Sequence, residues 1–219
     1  MRSGRRSGRP AVLASAGLLM ASLVAGCNYN YGQQANSSSL TAGQVDTAVW
    51  KTKWGPLTAA DRELIRKVRL ASLWEMPEAQ VAAQKAKSAK VRQVSAEIAD
   101  QHMYLDGAVR ALAQKLGVDL PSLPTAQQQS WMTDINGRTG SSFDDTYVKW
   151  LRFAHGQIFA LIGTVRGSTQ NSLVRPFADT ANTYVLNHMR LLESTGLTAT
   201  ASFPTPPPVT LPPQPTPTH

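Results

Sequence analysis

Four segments of this chain repeat apolar residues every three to four positions, and this spacing constrains the fold more than any other feature. A repeat of this period predicts an amphipathic α-helix that buries one face. In the second segment the apolar residues are Val91, Val94, Ile98, Leu105, Val109, Leu112 and Leu116. Four such helices can close around one interior, so the sequence predicts an all-α fold, a four-helix bundle of about 140 residues.

Capping residues delimit these segments. Thr58, with Asp61 three positions later, has the pattern of a capping box, and Ser88 can open the second helix. About 25 residues separate the second and third long helices, too many for a structureless loop in a compact domain. The sequence therefore predicts a short extra helix there, from Thr125 to Asn136. The third long helix is expected from Ser141 or Ser142, and the fourth from near Ser172.

The N-terminus has the three parts of a bacterial lipoprotein signal peptide. Four arginines precede an apolar run at 11–25, and the run ends in the sequence LVAGC at Cys27. This run is shorter than the roughly 20 residues of a membrane-spanning helix. We expect cleavage after residue 26, diacylglyceryl attachment to Cys27, and an extracytoplasmic protein held to the cell membrane. The alternative is an ordinary cleaved signal with an incidental cysteine.

The amino-acid composition indicates where the tether, the bundle and the tail begin and end. Asn, Ser, Gln and Gly dominate the residues after Cys27, and residues 204–217 are mostly proline. We therefore expect a signal peptide at 1–26, a flexible tether at 27–56, the bundle at 57–197 and a disordered proline-rich tail at 198–219.

The basic charge of the chain is largely a property of its leader. Without the four leader arginines, 18 basic residues face 14 acidic ones, a net charge of +4 instead of +8. This balance argues against nucleic acid as a partner. With a single cysteine the chain can form no internal disulfide and no cysteine-based metal cluster.

Three of the four histidines lie on the apolar faces of three different helices. His102, His155 and His188 occupy or adjoin these faces, whereas His219 is in the tail. The first helix has Glu75 on its apolar face, and a buried carboxylate is unfavourable unless it is paired, protonated or bound to a metal. If the long connection crosses the bundle, Glu75, His102 and His155 lie at one level, with His188 about 8 Å away along the axis.

Two interpretations of these residues remain open. One is a mononuclear site in which Glu75, His102, His155 and His188 hold one transition-metal ion such as iron, copper, zinc or manganese. The other is structural, with the imidazoles hydrogen-bonded to one another, to water or to a tyrosine at 104, 147 or 184. Asp106, one turn after His102, could also orient its imidazole.

Several segments together resemble a known family. They are LTAADRELI at the first helix, VAAQKAKSAKVRQVSAEIADQH, FDDTYVKWLRFAHGQI and ADTANTYVLNHMRLLES. They resemble the bacterial domain-of-unknown-function family 4142, and this resemblance implies a ferritin-like bundle and export, but no activity. A di-iron centre is not expected, because Ala99, Arg152 and Val185 stand where a Glu-x-x-His motif needs glutamate.

The sequence contains no GxSxG, HExxH or glycine-rich phosphate motif. An enzyme is therefore not the favoured interpretation. The leading hypothesis is a non-enzymatic, lipid-anchored envelope module that binds an unknown partner, and the alternative is the metal-binding or redox bundle.

Overall fold

The computed structural model describes residues 46–206, and five helices account for most of them. They are α1 (Ala59–Lys85), α2 (Ala89–Leu116), α3 (Ala126–Asn136), α4 (Gly140–Ser168) and α5 (Val174–Glu193). A short antiparallel hairpin of β1 (Trp50–Thr52) and β2 (Gly55–Leu57) precedes them, and a 3-10 turn at Thr200–Ser202 follows. The prediction of an all-α bundle with a short extra helix is confirmed. Within residues 46–206, no helix has an apolar stretch sufficient to cross a bilayer.

Side-chain caps fix three helix starts where the sequence predicts them. Thr58 and Thr125 each accept a hydrogen bond from the backbone three residues on, and Asp61 and Gln128 return the bond in a capping box. Ser88 caps α2 in the same way, without the reciprocal bond. These bonds satisfy N–H groups that the first turn of a helix leaves unpaired. The start of α4 differs, because Thr139 makes no capping bond with its side chain.

The long connection carries the chain from one end of the bundle to the other. The start of α4 lies at the turn between α1 and α2, where Asp144 accepts hydrogen bonds from the backbone nitrogens of Lys87 and Ser88 at 2.9 and 2.7 Å. Helix α4 therefore runs antiparallel to α1 and parallel to α2. In the resulting bundle, α1 packs on α2 and α4, and α5 packs on the same two helices.

Residues before the bundle are ordered where the sequence predicts a tether. Arg62, which is buried, donates to the carbonyls of Leu57 and Asp46 and stacks over the ring of Trp50. Asn171 donates to Gly55, and an added Cβ at Gly55 would lie 2.7 Å from the carbonyl oxygen of Gln170. The prediction that the tether extends to residue 56 is therefore wrong for residues 46–56, which dock on the bundle; residues 27–45 lie outside the described part.

The C-terminal boundary also differs from the prediction. Ser202 is fully buried, and the ring of Phe203 lies under the guanidinium of Arg152 at 4.6 Å. Pro204 packs so closely on Gly156 that a Cβ there would lie 2.8 Å from its ring. Residues 198–206 thus cover α4 instead of forming the start of a disordered tail, and residues 207–219 lie outside the described part.

The buried side chains form two apolar clusters along the axis of the bundle. The hairpin-end core includes Leu57, Leu64, Val109, Val165 and Val174. The turn-end core lies near the connection between α1 and α2; it includes Trp74, Ile98, Trp131, Phe143 and Leu151. Between these two cores lies a layer of polar side chains.

A candidate metal centre between the two cores

The polar layer contains all four residues that the sequence singles out. Glu75 of α1, His102 of α2, His155 of α4 and His188 of α5 are each no more than 3 % exposed. They meet because the crossing connection makes α2 and α4 parallel, so their histidines reach the same depth. One nitrogen of each histidine lies within 4.8 Å of one from each of the other two. The expected convergence of these residues is therefore present in the structure.

The shortest distances involve one carboxylate oxygen and three ring nitrogens. Glu75 Oε2 lies 3.0 Å from His102 Nε2 and 3.2 Å from His155 Nε2. His155 Nε2 lies 2.8 Å from His188 Nδ1. The two contacts of Glu75 lack the angles of a hydrogen bond, since Oε2 and His102 Nε2 have no hydrogen-bond partner among the described residues.

The backbone fixes the proton on His155. Its Nδ1 lies 2.7 Å from the carbonyl oxygen of Leu151, which can only accept, so Nδ1 must carry the hydrogen. Burial lowers the pKa of His155, against the opposing charge of Glu75, and the ring is neutral at pH 7. Its Nε2 therefore presents a lone pair to the centre. This arrangement is typical of metal-binding histidines, whose second nitrogen usually donates to a carbonyl or carboxylate.

His188 is also neutral. Burial lowers its pKa, and positive charge on His102 or His155 would lower it further. If its Nδ1 donates to the lone pair of His155, its Nε2 becomes an acceptor, and this buried atom has no partner among the described residues. The hydrogen bond between the two rings thus satisfies only part of the cluster. Both nitrogens of His102 stay unpartnered in the same part of the chain.

The position of His188 corrects one expectation. The sequence places it about 8 Å from the level of the other residues, yet it contacts His155 directly. The discrepancy came from the position of the turn between the last two helices. His155 lies 13 residues before the end of α4 and His188 lies 14 residues after the start of α5, so the two are level.

Of the partners proposed for the imidazoles, another imidazole is the one that makes a hydrogen bond among the described residues, between His155 and His188. Asp106 pairs with Arg69 and Arg110 instead of orienting His102. Tyr104 is 57 % exposed and packs edge-to-face against Tyr184, away from the interior. The Tyr147 hydroxyl, although buried, has no hydrogen-bond partner among the described residues. The structural interpretation therefore lacks the tyrosine and aspartate contacts it invoked.

Two cavities adjoin the cluster. One, of about 10 Å³, is lined by Glu75, His102 and His155 together with apolar residues of all four long helices. A space of this size holds about one water-sized particle. The other, of about 320 Å³, lies between α1, α3 and α4 and also reaches Glu75.

Sequence reasoning missed one contributor to this layer and one buried acid next to it along α1. The Leu151 carbonyl leaves no sequence signal, because every helical residue has a carbonyl four positions before it. Glu78 is 2 % exposed and accepts a hydrogen bond from Asn136 at 2.7 Å. Its spacing of one turn from Glu75 places both acids on the same face, and that spacing could have revealed it. Burial raises the pKa of Glu78. Cys27, the predicted lipidation site, lies outside the described residues.

Comparison with known proteins identifies the family to which the chain belongs. No curated protein and no solved structure matches the chain. A protein-family profile matches residues 51–194, which include all of the hairpin except Trp50 and all five helices. All four residues of the cluster lie within this match. The chain therefore belongs to the family described as Domain of unknown function (DUF4142).

Proposed function

We propose that this bundle binds one transition-metal ion through His102, His155 and His188, with Glu75 as the fourth ligand. The hydrogen-bonding state of the polar layer is the observation that carries the proposal. Glu75 Oε2 and His102 Nε2 are buried, lie 3.0 Å apart and do not hydrogen-bond. Nearby, the lone pair of His155 faces the same oxygen. Each buried polar atom without a partner costs about 1–3 kcal/mol, and a cation would satisfy several of them together.

Charge supports the same conclusion. Among the described residues, Glu75 makes no ion pair with lysine or arginine; its close charged contacts are the two imidazoles. A positive charge would stabilise a carboxylate that is only 3 % exposed. A divalent ion would supply it, and would leave the site with a net charge of +1.

The donor set selects the class of metal. Three imidazole nitrogens and one carboxylate oxygen suit zinc, copper, iron or manganese, whereas calcium and magnesium prefer sites made of oxygen alone. Four ligands around one ion at bond lengths near 2.1 Å stand about 3.4 Å apart in a tetrahedron. Three of the six separations among these ligand atoms are 2.8–3.2 Å, and the ligand nitrogens of the three histidines all lie within 4.8 Å of one another. Small shifts of the side chains would therefore admit the ion.

The proposal unites the two hypotheses drawn from the sequence. We propose an envelope module, as in the first hypothesis, whose interior binds metal, as in the second. We propose that lipid on Cys27 holds it to the outer face of the cell membrane, with residues before 46 as the link. The support for this location is the LVAGC sequence after a short apolar run.

Metal analysis tests the central claim. The full mature chain, purified without a histidine tag, should hold about one equivalent of metal after reconstitution with Zn²⁺ or Co²⁺ and dialysis. A double variant, His102→Ala with His155→Ala, should hold none, and His219→Ala serves as the matched control. Substoichiometric metal in the reconstituted protein, or equal binding by the double variant, would reject the proposed site.

Fractionation tests the anchor separately. In cells, the Cys27→Ser variant should move from the membrane fraction to the soluble fraction after export, because it cannot be acylated. A Ser37→Ala variant in the same segment should stay with the membrane. Membrane retention of Cys27→Ser would show that something other than lipid holds the protein there.

A further inference from the structure

The larger cavity beside the polar layer opens to solvent between α1, α3 and α4. Its volume of about 320 Å³ falls at the lower end of the range for small-molecule sites. Exposed Lys67, Gln127 and Gln157 stand at its mouth. The apolar part of its wall consists of Leu70, Ala71, Trp131, Ala154, Ile158 and Leu161.

Glu75 separates this pocket from the ion-sized cavity. Three residues line both spaces: Ala71, Glu75 and Ile158. Glu75 alone among them has a polar side chain, and its Oε2 contacts two of the histidines. A molecule in the pocket therefore meets the metal site on its Glu75 side.

The aromatic side chain in the pocket wall is held by its neighbours. Trp131 is 7 % exposed and stacks on Trp150, with ring centroids 5.3 Å apart and planes 19° apart. The capping box of Thr125 and Gln128 anchors the start of α3, the helix that carries Trp131. A rigid aromatic wall favours a ligand with a flat apolar body.

The charge of the pocket depends on the ion. Of the residues that line it, Glu75 is the one acid and Lys67 the one base. Without metal, the Glu75 carboxylate at the inner end repels an anion. A divalent ion bound to Glu75 changes the local charge to +1. The Glu75 end of the pocket then attracts an anion.

We propose that this pocket binds a small organic carboxylate with a flat apolar body, and that its carboxylate joins the metal ion on the Glu75 side. The inference rests on the proposed metal site and adds the class of molecule that the site recognises. Metal and carboxylate are then positively coupled, because each raises the affinity of the protein for the other. No bond is broken or formed beyond coordination.

Cobalt serves as the probe, because its visible absorption responds to a change in ligands. Benzoate added to the Co²⁺-loaded protein should change the spectrum in a saturable way, whereas benzamide, neutral and of the same shape, should not. Metal-free protein should show no benzoate binding by calorimetry. These three results together separate a charge-dependent site from a nonspecific apolar one.

Two pocket-filling variants locate the binding. Ala154→Phe and Leu161→Trp enlarge residues that line the pocket but not the ion-sized cavity. Both should retain one equivalent of Co²⁺ with an unchanged spectrum, and benzoate affinity should fall at least about tenfold, a loss of about 1.4 kcal/mol. The second variant supplies the result if the first does not fold.

The outcomes distinguish this inference from the one on which it rests. A protein that takes up no cobalt overturns both proposals. A protein that takes up cobalt but whose spectrum ignores benzoate retains the metal site and loses the carboxylate pocket. Benzoate binding that survives both pocket-filling variants, or that equals benzamide binding, also overturns the pocket.

Discussion

The two apolar cores and the polar layer between them are equally buried but differ in how far their contacts are satisfied. In the hairpin-end core, Leu64 and Val109 are fully buried and need only apolar neighbours. In the polar layer, His102 is 2 % exposed, and neither of its ring nitrogens has a partner within the described residues. Leu64 and Val109 need no further partner, whereas the unpartnered atoms of the polar layer lie close enough together for one bound ion to satisfy them. Within residues 46–206, unpartnered buried atoms also occur singly in the turn-end core, at Trp74 Nε1 and the Tyr147 hydroxyl. What distinguishes the polar layer is that its polar atoms converge on one point.

The largest expected effect is the stabilisation of the layer by metal. At an excess of 1,000 times the dissociation constant, an ion bound only by the folded state adds about 4 kcal/mol. For a domain of this size the melting temperature should rise by about 8–16 °C. Calorimetry with and without Zn²⁺ measures the shift, and Mg²⁺ is the control ion. A shift that persists in His155→Ala would place the ion elsewhere.

The second prediction concerns the core. Leu64→Ala removes fully buried methyl groups from the hairpin-end core and should lower the free energy of unfolding by about 2–5 kcal/mol. The loss should be the same in metal-free and metal-loaded protein, because Leu64 lies outside the polar layer. Urea denaturation of both forms measures it. A loss that depends on metal would mean that core and layer are not independent.

The third prediction is a substitution that stabilises the metal-free protein, whereas Leu64→Ala destabilises it. His102→Leu replaces two unpartnered buried nitrogens with apolar atoms of similar volume. In metal-free protein it should raise the free energy of unfolding by about 1–3 kcal/mol, because the cost of burying those nitrogens disappears while Glu75 keeps its contact with His155. In excess Zn²⁺ the same variant should be less stable than the natural protein. Destabilisation of the metal-free form would show that His102 is satisfied without an ion.

Periodicity predicts the helices and the depth of the polar residues because both depend on local geometry. Thr58, Ser88 and Thr125 mark helix starts through hydrogen bonds within four residues, so their positions are readable from the sequence. Glu75 and His102 are level because a short turn joins α1 to α2. The error over His188 arose from the turn after α4, whose path is set by Asn171 binding the hairpin at Gly55, a contact 116 residues away in sequence.

The predicted end of the tether at residue 56 and the predicted start of the tail at residue 198 differ from the structure for a similar reason. Residues 46–56 contain Trp50 and Trp54 in a less polar stretch, but their composition does not show what they dock on. The groups that hold them are Arg62 on α1 and Asn171 after α4. Phe203 lies beside prolines, and its partner Arg152 is on α4. These contacts between an arginine on a helix and a residue of a terminal segment leave no repeating pattern in the sequence from which they could be predicted. The pocket beside Glu75 was also beyond prediction, since three helices form it and only packing brings them together.

The smallest expected effect is the pH-dependent contribution of Glu78, a buried acid of the turn-end region, to the stability of the protein. Burial raises the pKa of Glu78, although Asn136 and Lys85 oppose the shift. The folded protein therefore favours the protonated form. The stability that Glu78 contributes is complete below the ordinary glutamate pKa of about 4.3 and is lost as pH rises through the pKa in the folded state.

Glu78→Gln keeps an oxygen to accept from Asn136 and cannot ionise, so at pH 7 it should stabilise the protein by about 1 kcal/mol. Asp134→Asn is the opposite control. Hydrogen bonds from Trp150 and Arg138 lower the pKa of Asp134, so its contribution is present at neutral pH and lost as pH falls. Chemical denaturation at pH 7 should therefore move the two variants in opposite directions, and both differences should shrink towards pH 3. A gain for Glu78→Gln that persists at pH 3 would mean that shape, and not charge, limits the stability of this region.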